Sequence, residues 1–319
     1  MNPTISVIMS VFNEPKDWLA QAVESICNQT FNDFEFIIIN DNPENKQSLC
    51  LLEEYAHDDN RIKLIVNSEN IGLTRSLNKG LKIAKGKYIA RMDADDVSLP
   101  QRFEKQVCYM DTHSNVIVLG TNINLYGYNS FYRSYDFIKF DNDAIKAQML
   151  FINPIAHSTV FIRKEILDRY GIKYDENYRQ SQDYRLWEQL FPYGDFVNLR
   201  EKLLNYRISS QQVSHKSKIG QRNLATSISI RLQLQWLNCN GYNYNLNELE
   251  NDCESIVDKL RFSHLRNTNE YNAFIQFAYL KSSSGVKGLL YFFKYDWHSF
   301  SMHNIMRLIK KQLNNLLRK

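Results

Sequence analysis

The chain has 319 residues, 44% of them hydrophobic and 23% charged, ordinary globular figures that exclude disorder over most of its length and suit one large domain with an appendage, or two domains. A net charge of +4 is too small to argue for nucleic acid as a partner, and five widely spaced cysteines without a CxxC pair suggest neither a disulfide framework nor a zinc site. There is no basic leader and no run of about 18 apolar residues, so a cytosolic protein is expected.

Thr4 to Val11 is β-branched and apolar, too short for a helix and closed by Asn13-Glu14-Pro15, which predicts a buried strand. Trp18, Leu19, Ala22, Val23, Ile26 and Cys27 follow at helical spacing. A second strand is predicted from Phe34 to Asn40, ahead of Asp41-Asn42-Pro43, and a helix with Leu49, Leu52 and Tyr55 after it. Ile62 to Val66 makes a third strand. Leu73, Leu77, Leu81 and Ala84 mark the next helix, with Gly86 as its stop. Tyr88 to Met92 is the fourth strand, and Pro100 opens a helix bearing Phe103, Val107 and Met110.

Beyond Val116 the alternation fails. Strands are predicted at Val116 to Leu119, Ile123 to Tyr126, His157 to Arg163 and Leu203 to Ile208, with an aromatic alternating stretch from Phe131 to Phe140. Helices are predicted at Asp141 to Leu150 and Ser181 to Leu190, the latter with Asp183 in its first turn. From about Lys218 the pattern is helical, including Leu232 to Trp236, Leu246 to Leu260 and Phe274 to Lys281. The last segment is a basic amphipathic helix: from Lys287 to Lys319 seven Lys or Arg face one acid, Asp296.

Four strand-helix alternations imply an α/β fold whose mostly parallel sheet is covered on both faces, with strand C-terminal ends on one edge, where ligands bind. That edge gathers Phe12-Asn13, Asn40-Asp41, Asn67 and Asp93-Ala94-Asp95-Asp96. Three carboxylates in four residues repel one another unless a cation offsets them, and a hard divalent metal suits oxygen ligands. An acidic turn that caps the next helix is the alternative, and Asp96 fits a helix N-cap. Arg75, just inside the helix after Gly72, is a candidate for a phosphate contact, or part of a solvated face.

Seven landmarks in order extend this reading: Ser6 to Glu14, Phe36 to Asn42, Asn70-Ile71-Gly72 through Asn78, Gly86 to Ile89, Asp93 to Asp96, Asn153 to His157, and Gln182-Asp183-Tyr184 with Leu186-Trp187. Together they resemble the inverting family 2 glycosyltransferases of the GT-A fold, over roughly Ile5 to Ser214. The resemblance implies a GT-A domain at 1–217, with a nucleotide-binding half at 1–99 and an acceptor-binding half at 100–217, followed by a helical region at 218–319. It implies a UDP-sugar donor, Mn²⁺ or Mg²⁺, and a saccharide or lipid-linked glycan acceptor in surface polysaccharide synthesis.

In that scheme Asp41 reads the base, as a carboxylate accepting the uracil N–H, and Phe12 and Asn13 line the same pocket. Asp95 is the metal ligand, Asp93 touches the ribose or metal waters, and one or two carboxylates suffice for such a metal. Asp183 is the catalytic base, although Gln182 stands where the family carries Glu. His157 lines the site, and Tyr206-Arg207 resembles a Tyr-Arg pair in the family's closing loop; Ser209 stands in place of the usual histidine, His215 is an alternative to it, and the carry-over of roles stops at Arg207.

Two other classes fit parts of the chain. Asp93-Ala94-Asp95-Asp96-Val97 also satisfies the aspartate motif of haloacid-dehalogenase-type phosphatases, which place it on their first strand. The basic C-terminal helix fits a membrane-surface adaptor, or a peripheral anchor of the enzyme on the anionic inner leaflet; packing of its apolar face on the catalytic domain is the plainer reading.

Overall fold

Ile5–Val11 (β1) and Phe34–Asn40 (β2) are buried along their whole length, the signature of strands covered on both faces. β1 pairs in parallel with β2 and with Tyr88–Asp93 (β4), and β2 pairs in parallel with Ile62–Val66 (β3). The helices between them are Lys16–Cys27 (α1), Lys46–Asp58 (α2) and Leu73–Ile83 (α3). α1 buries Leu19, Ala22, Val23 and Ile26, the apolar positions the spacing marks. The computed structural model describes residues 2–127, 138–150, 152–209, 218–245 and 268.

The remaining elements are Val97–Ser98 (β5), Arg102–Thr112 (α4), Val116–Gly127 (β6), Asn142–Met149 (α5), Phe161–Arg163 (β7), Lys164–Tyr170 (α6), Gln182–Leu190 (α7), Asp195–Ile208 (β8) and Lys218–Cys239 (α8). The sheet has eight strands in the order β3-β2-β1-β4-β7-β6-β8-β5, with β7 antiparallel to β4 and β6, and β5 antiparallel to β8. β4 and β5 stand four places apart in that order, about 19 Å in a flat sheet. Three residues join them, and the step from Asp93 to Val97 reaches only about 14 Å at full stretch. The sheet therefore curls, and the acidic turn spans the curl.

Several boundaries differ from the sequence reading. The two strands predicted at 116–119 and 123–126 are one, β6, with register shifts at Thr121/Asn122 and Asn122/Ile123, and the strand predicted from Leu203 begins at Asp195. The segment 157–163 opens with a 3-10 turn, His157–Thr159, before β7, because His157 and Ser158 bond into the site rather than to a strand. α4 starts at Arg102, past Pro100. Gly86 is no helix stop; a Cβ there would lie 2.4 Å from the Ser6 backbone N, so its role is close approach of two chain segments.

By contact the chain divides into two units, Met1–Asn142 with Pro154–Ala225, and Asp143–Asn153 with Thr226–Lys319. Within the second, Ser229 and Gln233 of α8 donate to the Leu150 carbonyl at 2.5 and 2.8 Å. Among the described residues no helix is long and apolar enough to cross a membrane. The aromatic stretch 131–137, His215, the helices predicted at 246–260 and 274–281, and the basic C-terminal helix lie outside the described residues.

Candidate active site

The C-terminal ends of β1, β2 and β3 are tied edge to edge: Asp41 N donates to Val11 O at 2.8 Å and Asn67 N to Asn40 O at 2.9 Å. Asp41 follows β2 and is 2% exposed. Its Oδ1 accepts from Asn67 Nδ2 at 2.7 Å and Ile71 N at 2.9 Å, and its Oδ2 from Gly72 N at 2.9 Å. Three of its four acceptor positions thus shape the loop that leads into α3. Gly72 takes φ 87° there, a conformation that suits glycine. Asn13 accepts from Asn42 Nδ2 at 2.8 Å, and Phe12 is 41% exposed beside it, so its ring is no core residue. Arg75, in the first turn of α3, pairs with Glu176 at 3.1 Å.

At the end of β4 the carboxylates are held differently. Asp93 Oδ1 pairs with Arg91 Nη2 at 2.5 Å and its Oδ2 accepts from Ser158 Oγ at 2.6 Å. Arg91 is 2% exposed and also donates to Ile8 O at 3.1 Å. Burial pushes the Asp93 carboxyl up, but Arg91, His157 and Ser158 outweigh it and hold it low. Asp96 is fully buried, and its Oδ1 accepts from Arg207 N at 2.8 Å; it caps no helix, and Gln101 precedes α4. Burial raises its pKa well above the usual carboxylate range, with Asp95 and Asp93 adding to the rise.

Asp95 lies between them with no side-chain donor bonded to its carboxylate among the described residues. Burial, then Asp93, then Glu14, raise its pKa. An acid pushed up by neighbouring acids is a site whose charge balance favours a cation, and its oxygens fit Mg²⁺ or Mn²⁺. Among the described residues no three His, Cys, Asp or Glu side chains form a ready cage, which accords with metals that keep waters and take one or two carboxylates plus phosphate oxygens. Arg207 braces the turn from β8: its Nε donates to Asp95 O at 2.7 Å, and its guanidinium lies 4.5 Å from the ring centres of both Trp18 and Tyr126.

Asp183 stands in the first turn of α7, its Oδ1 accepting from Tyr184 N at 2.8 Å. Ser181, just before the helix, has φ 56°, an uncommon conformation for a residue with a Cβ and one that concentrates at functional sites. His157 Nε2 lies 2.8 Å from the Tyr174 hydroxyl, with Trp187 of α7 edge-on to its ring at 6.3 Å. Burial, reinforced by Arg91, lowers the His157 pKa to about 3, which keeps the ring neutral. Burial raises the Tyr174 hydroxyl, and the charges of Arg91, Asp183 and Asp93 all act on it. The turn at His157-Ser158 joins the two regions: Ser158 bonds Asp93, and His157 beside it meets Tyr174 and Trp187 of α7.

Sequence reasoning assigned no role to Glu14, Arg91, Ser158 or Tyr174. Arg91 left a signal: a charge inside an apolar strand, two residues before Asp93 and so on the same face. Ser158 and Tyr174 left none, since their partners lie 65 and 17 residues away.

The chain is similar to known proteins in sequence and in fold. The O-antigen biosynthesis glycosyltransferase WbnJ of Escherichia coli is 38% identical over 215 residues, 65% of this chain and 80% of that protein. Staphylococcus aureus TarS 1-349 in complex with UDP-GlcNAc superposes with a TM-score of 0.62 at 16% identity, covering 98% of this chain and 92% of that one. The mannosyltransferase PcManGT of Pyrobaculum calidifontis, in complex with GDP-Man and Mn²⁺, gives 0.56 at 12% identity, over 100% and 88% of the two chains. These likenesses support a GT-A fold, and the sequence match to a glycosyltransferase sets the phosphatase reading aside. Residues 6–171 match the family model described as Glycosyl transferase family 2, and the chain belongs to that family of glycosyltransferases.

Proposed function

We propose that the chain transfers a sugar from a UDP-sugar to an acceptor hydroxyl, with inversion at the anomeric carbon, in the assembly of a surface polysaccharide or lipid-linked glycan. The observation that supports this reading is the turn at His157-Ser158, which bonds Asp93 on one side and meets Tyr174 and Trp187 of α7 on the other, in a chain whose residues 6–171 match the family 2 glycosyltransferases. The polysaccharide setting rests on the likeness to WbnJ, and the uridine donor on the likeness to TarS with UDP-GlcNAc.

In this reading Phe12 and Asn13 line the uridine pocket, and the one acceptor position left on Asp41 Oδ2 takes the uracil N–H. Arg75 faces the diphosphate from the first turn of α3. Asp95 holds the divalent cation, and Asp93, fixed by Arg91 and Ser158, stands beside it. Mn²⁺ or Mg²⁺ bound there supplies Lewis-acid stabilisation of the departing diphosphate. The Asp183 carboxylate takes the acceptor hydroxyl's proton as that oxygen bonds to the anomeric carbon. The carbon–oxygen bond to the diphosphate breaks on the opposite face, and its electron pair leaves with the phosphate.

Asp183→Asn separates chemistry from binding. Transfer is expected to fall by about 10²- to 10⁴-fold, with UDP affinity in the presence of Mn²⁺ unchanged by calorimetry. Unimpaired turnover in that variant ends the assignment of the base, and tighter binding of GDP than of UDP ends that of the donor.

A further inference from the structure

A groove of about 640 Å³ runs between α3 and α6 and is lined by none of the acids of the turn after β4. Arg75, Lys79 and Lys82 line it from α3, at the i, i+4, i+7 spacing that aligns side chains on one helix face. Lys164 opens α6, Lys173 lies just beyond that helix, and both complete the lining. Only Asp168 and Glu176 oppose these five cations, so three positive charges are in excess. Both acids are already paired, Asp168 with Lys164 at 2.6 Å and Glu176 with Arg75 at 3.1 Å, and Lys79 donates to Asn67 at 2.7 Å. Lys82 and Lys173 are exposed, and neither forms an ion pair among the described residues.

The groove is framed rather than loose. Asn78 of α3 donates to Tyr174 O at 2.9 Å and accepts from Tyr174 N at 3.0 Å, and Thr74 donates to Tyr178 O at 3.0 Å. Leu167 and Ile172, both buried, line its base. Its upper end shares Ile71, Arg75 and Glu176 with a cavity of about 530 Å³ beside Gly72, which brings it to the loop that Asp41 shapes. A concave, cationic trough of this size fits a chain with repeated anions; a flat bilayer would meet only its rim.

We propose that this groove binds an anionic glycan, a chain whose sugars carry carboxylate or phosphate groups, alongside the transfer site. The choice of a saccharide rests on the transferase reading above; the charge of the ligand rests on the groove. The test is fluorescence anisotropy of the full chain with labelled oligogalacturonate, a phosphorylated mannan oligomer and a neutral maltooligosaccharide of equal length. The anionic probes are expected to bind at least on the order of tenfold tighter than the neutral one, with affinity falling steeply as salt rises.

Lys82→Glu/Lys173→Glu is expected to weaken anionic binding on the order of tenfold while UDP binding stays unchanged, which also reports folding. The milder Lys82→Gln/Lys173→Gln gives the same ordering with a smaller loss. Equal binding of charged and neutral probes, or binding indifferent to both variants, overturns the proposal. Capture by anionic phospholipid vesicles alone, lost in the same variants, replaces it with a lipid surface. Retained binding of the anionic probes by a chain that takes no UDP counts against the donor reading and leaves the groove standing.

Discussion

At the scale of single residues, the acidic turn is ordered by the side chains around it. Arg91 and Ser158 occupy both Asp93 oxygens, while the Asp95 carboxylate is pressed by acids and, among the described residues, bonded by no side-chain donor. Two adjacent carboxylates are thereby given different tasks by their surroundings. Ser158→Ala removes the donor to Asp93 Oδ2 and the acceptor of Asp93 N. In the proposed function Asp93 stands beside the cation that Asp95 would hold, and outer support of this kind is worth roughly 10- to 100-fold in metal affinity, so Mn²⁺-dependent UDP affinity should drop about tenfold, with a stability loss of about 1 kcal/mol. Calorimetry with UDP at fixed Mn²⁺ checks the first and urea unfolding the second; affinity equal to that of the parent chain would show that Asp93 orients without Ser158. The places of Asp41, Asp93 and Asp183 in the fold were legible because each stands at the end of a strand or in the first turn of a helix, and Asp95 followed from Asp93. Ser158 was not, because it acts across 65 residues of chain.

Among the elements, those that read clearly are the ones whose pattern is local. β1 to β4 are apolar runs bounded by turn residues, and α1 and α3 are periodic, so neighbours along the chain suffice to specify them. β8 did not read so well because Arg200, Glu201 and Lys202 resemble a loop, yet this stretch is held in the strand by pairing with β6 across a bulge. A polar tie between elements also makes a pH-dependent contribution to stability. Glu35 on β2 accepts from Ser6 Oγ at 2.6 Å and Lys85 N at 2.7 Å and pairs with Lys63. Burial pushes its carboxyl up, but those three partners prevail and leave it below its ordinary value of 4.5. A carboxyl depressed in the folded state stabilises the fold above its unfolded pKa, and that contribution fades as pH falls through the lower folded value. Glu35→Gln should therefore melt below the parent chain at pH 7, with the gap narrowing at pH values under about 4.5. Thermal melts across that range decide it, and a gap that stays constant or widens would assign the acid sensitivity to other carboxyls.

For the molecule as a whole, the curled sheet was the feature that no stretch of sequence announced. It depends on two residues, Val97 and Ser98, pairing with Asn205 and Leu204 more than a hundred positions later, and two-residue strands carry no period. Ligand binding should be felt by the unit that contains this sheet. UDP with Mn²⁺ at about 100 times its dissociation constant stabilises that unit by about 2.7 kcal/mol, a rise in melting temperature of about 5–10 °C for a domain of this size. EDTA should abolish most of that rise, and a UDP shift that survives EDTA would show that the nucleotide is held without a cation. The short link across the curl has a mechanical corollary. The two arms of the sheet meet at a tie of only Ala94, Asp95 and Asp96, folded into a turn in which Asp96 N donates to Asp93 O at 3.4 Å. Whatever seats on that tie staples the arms together, and whatever pries them apart must first unseat it.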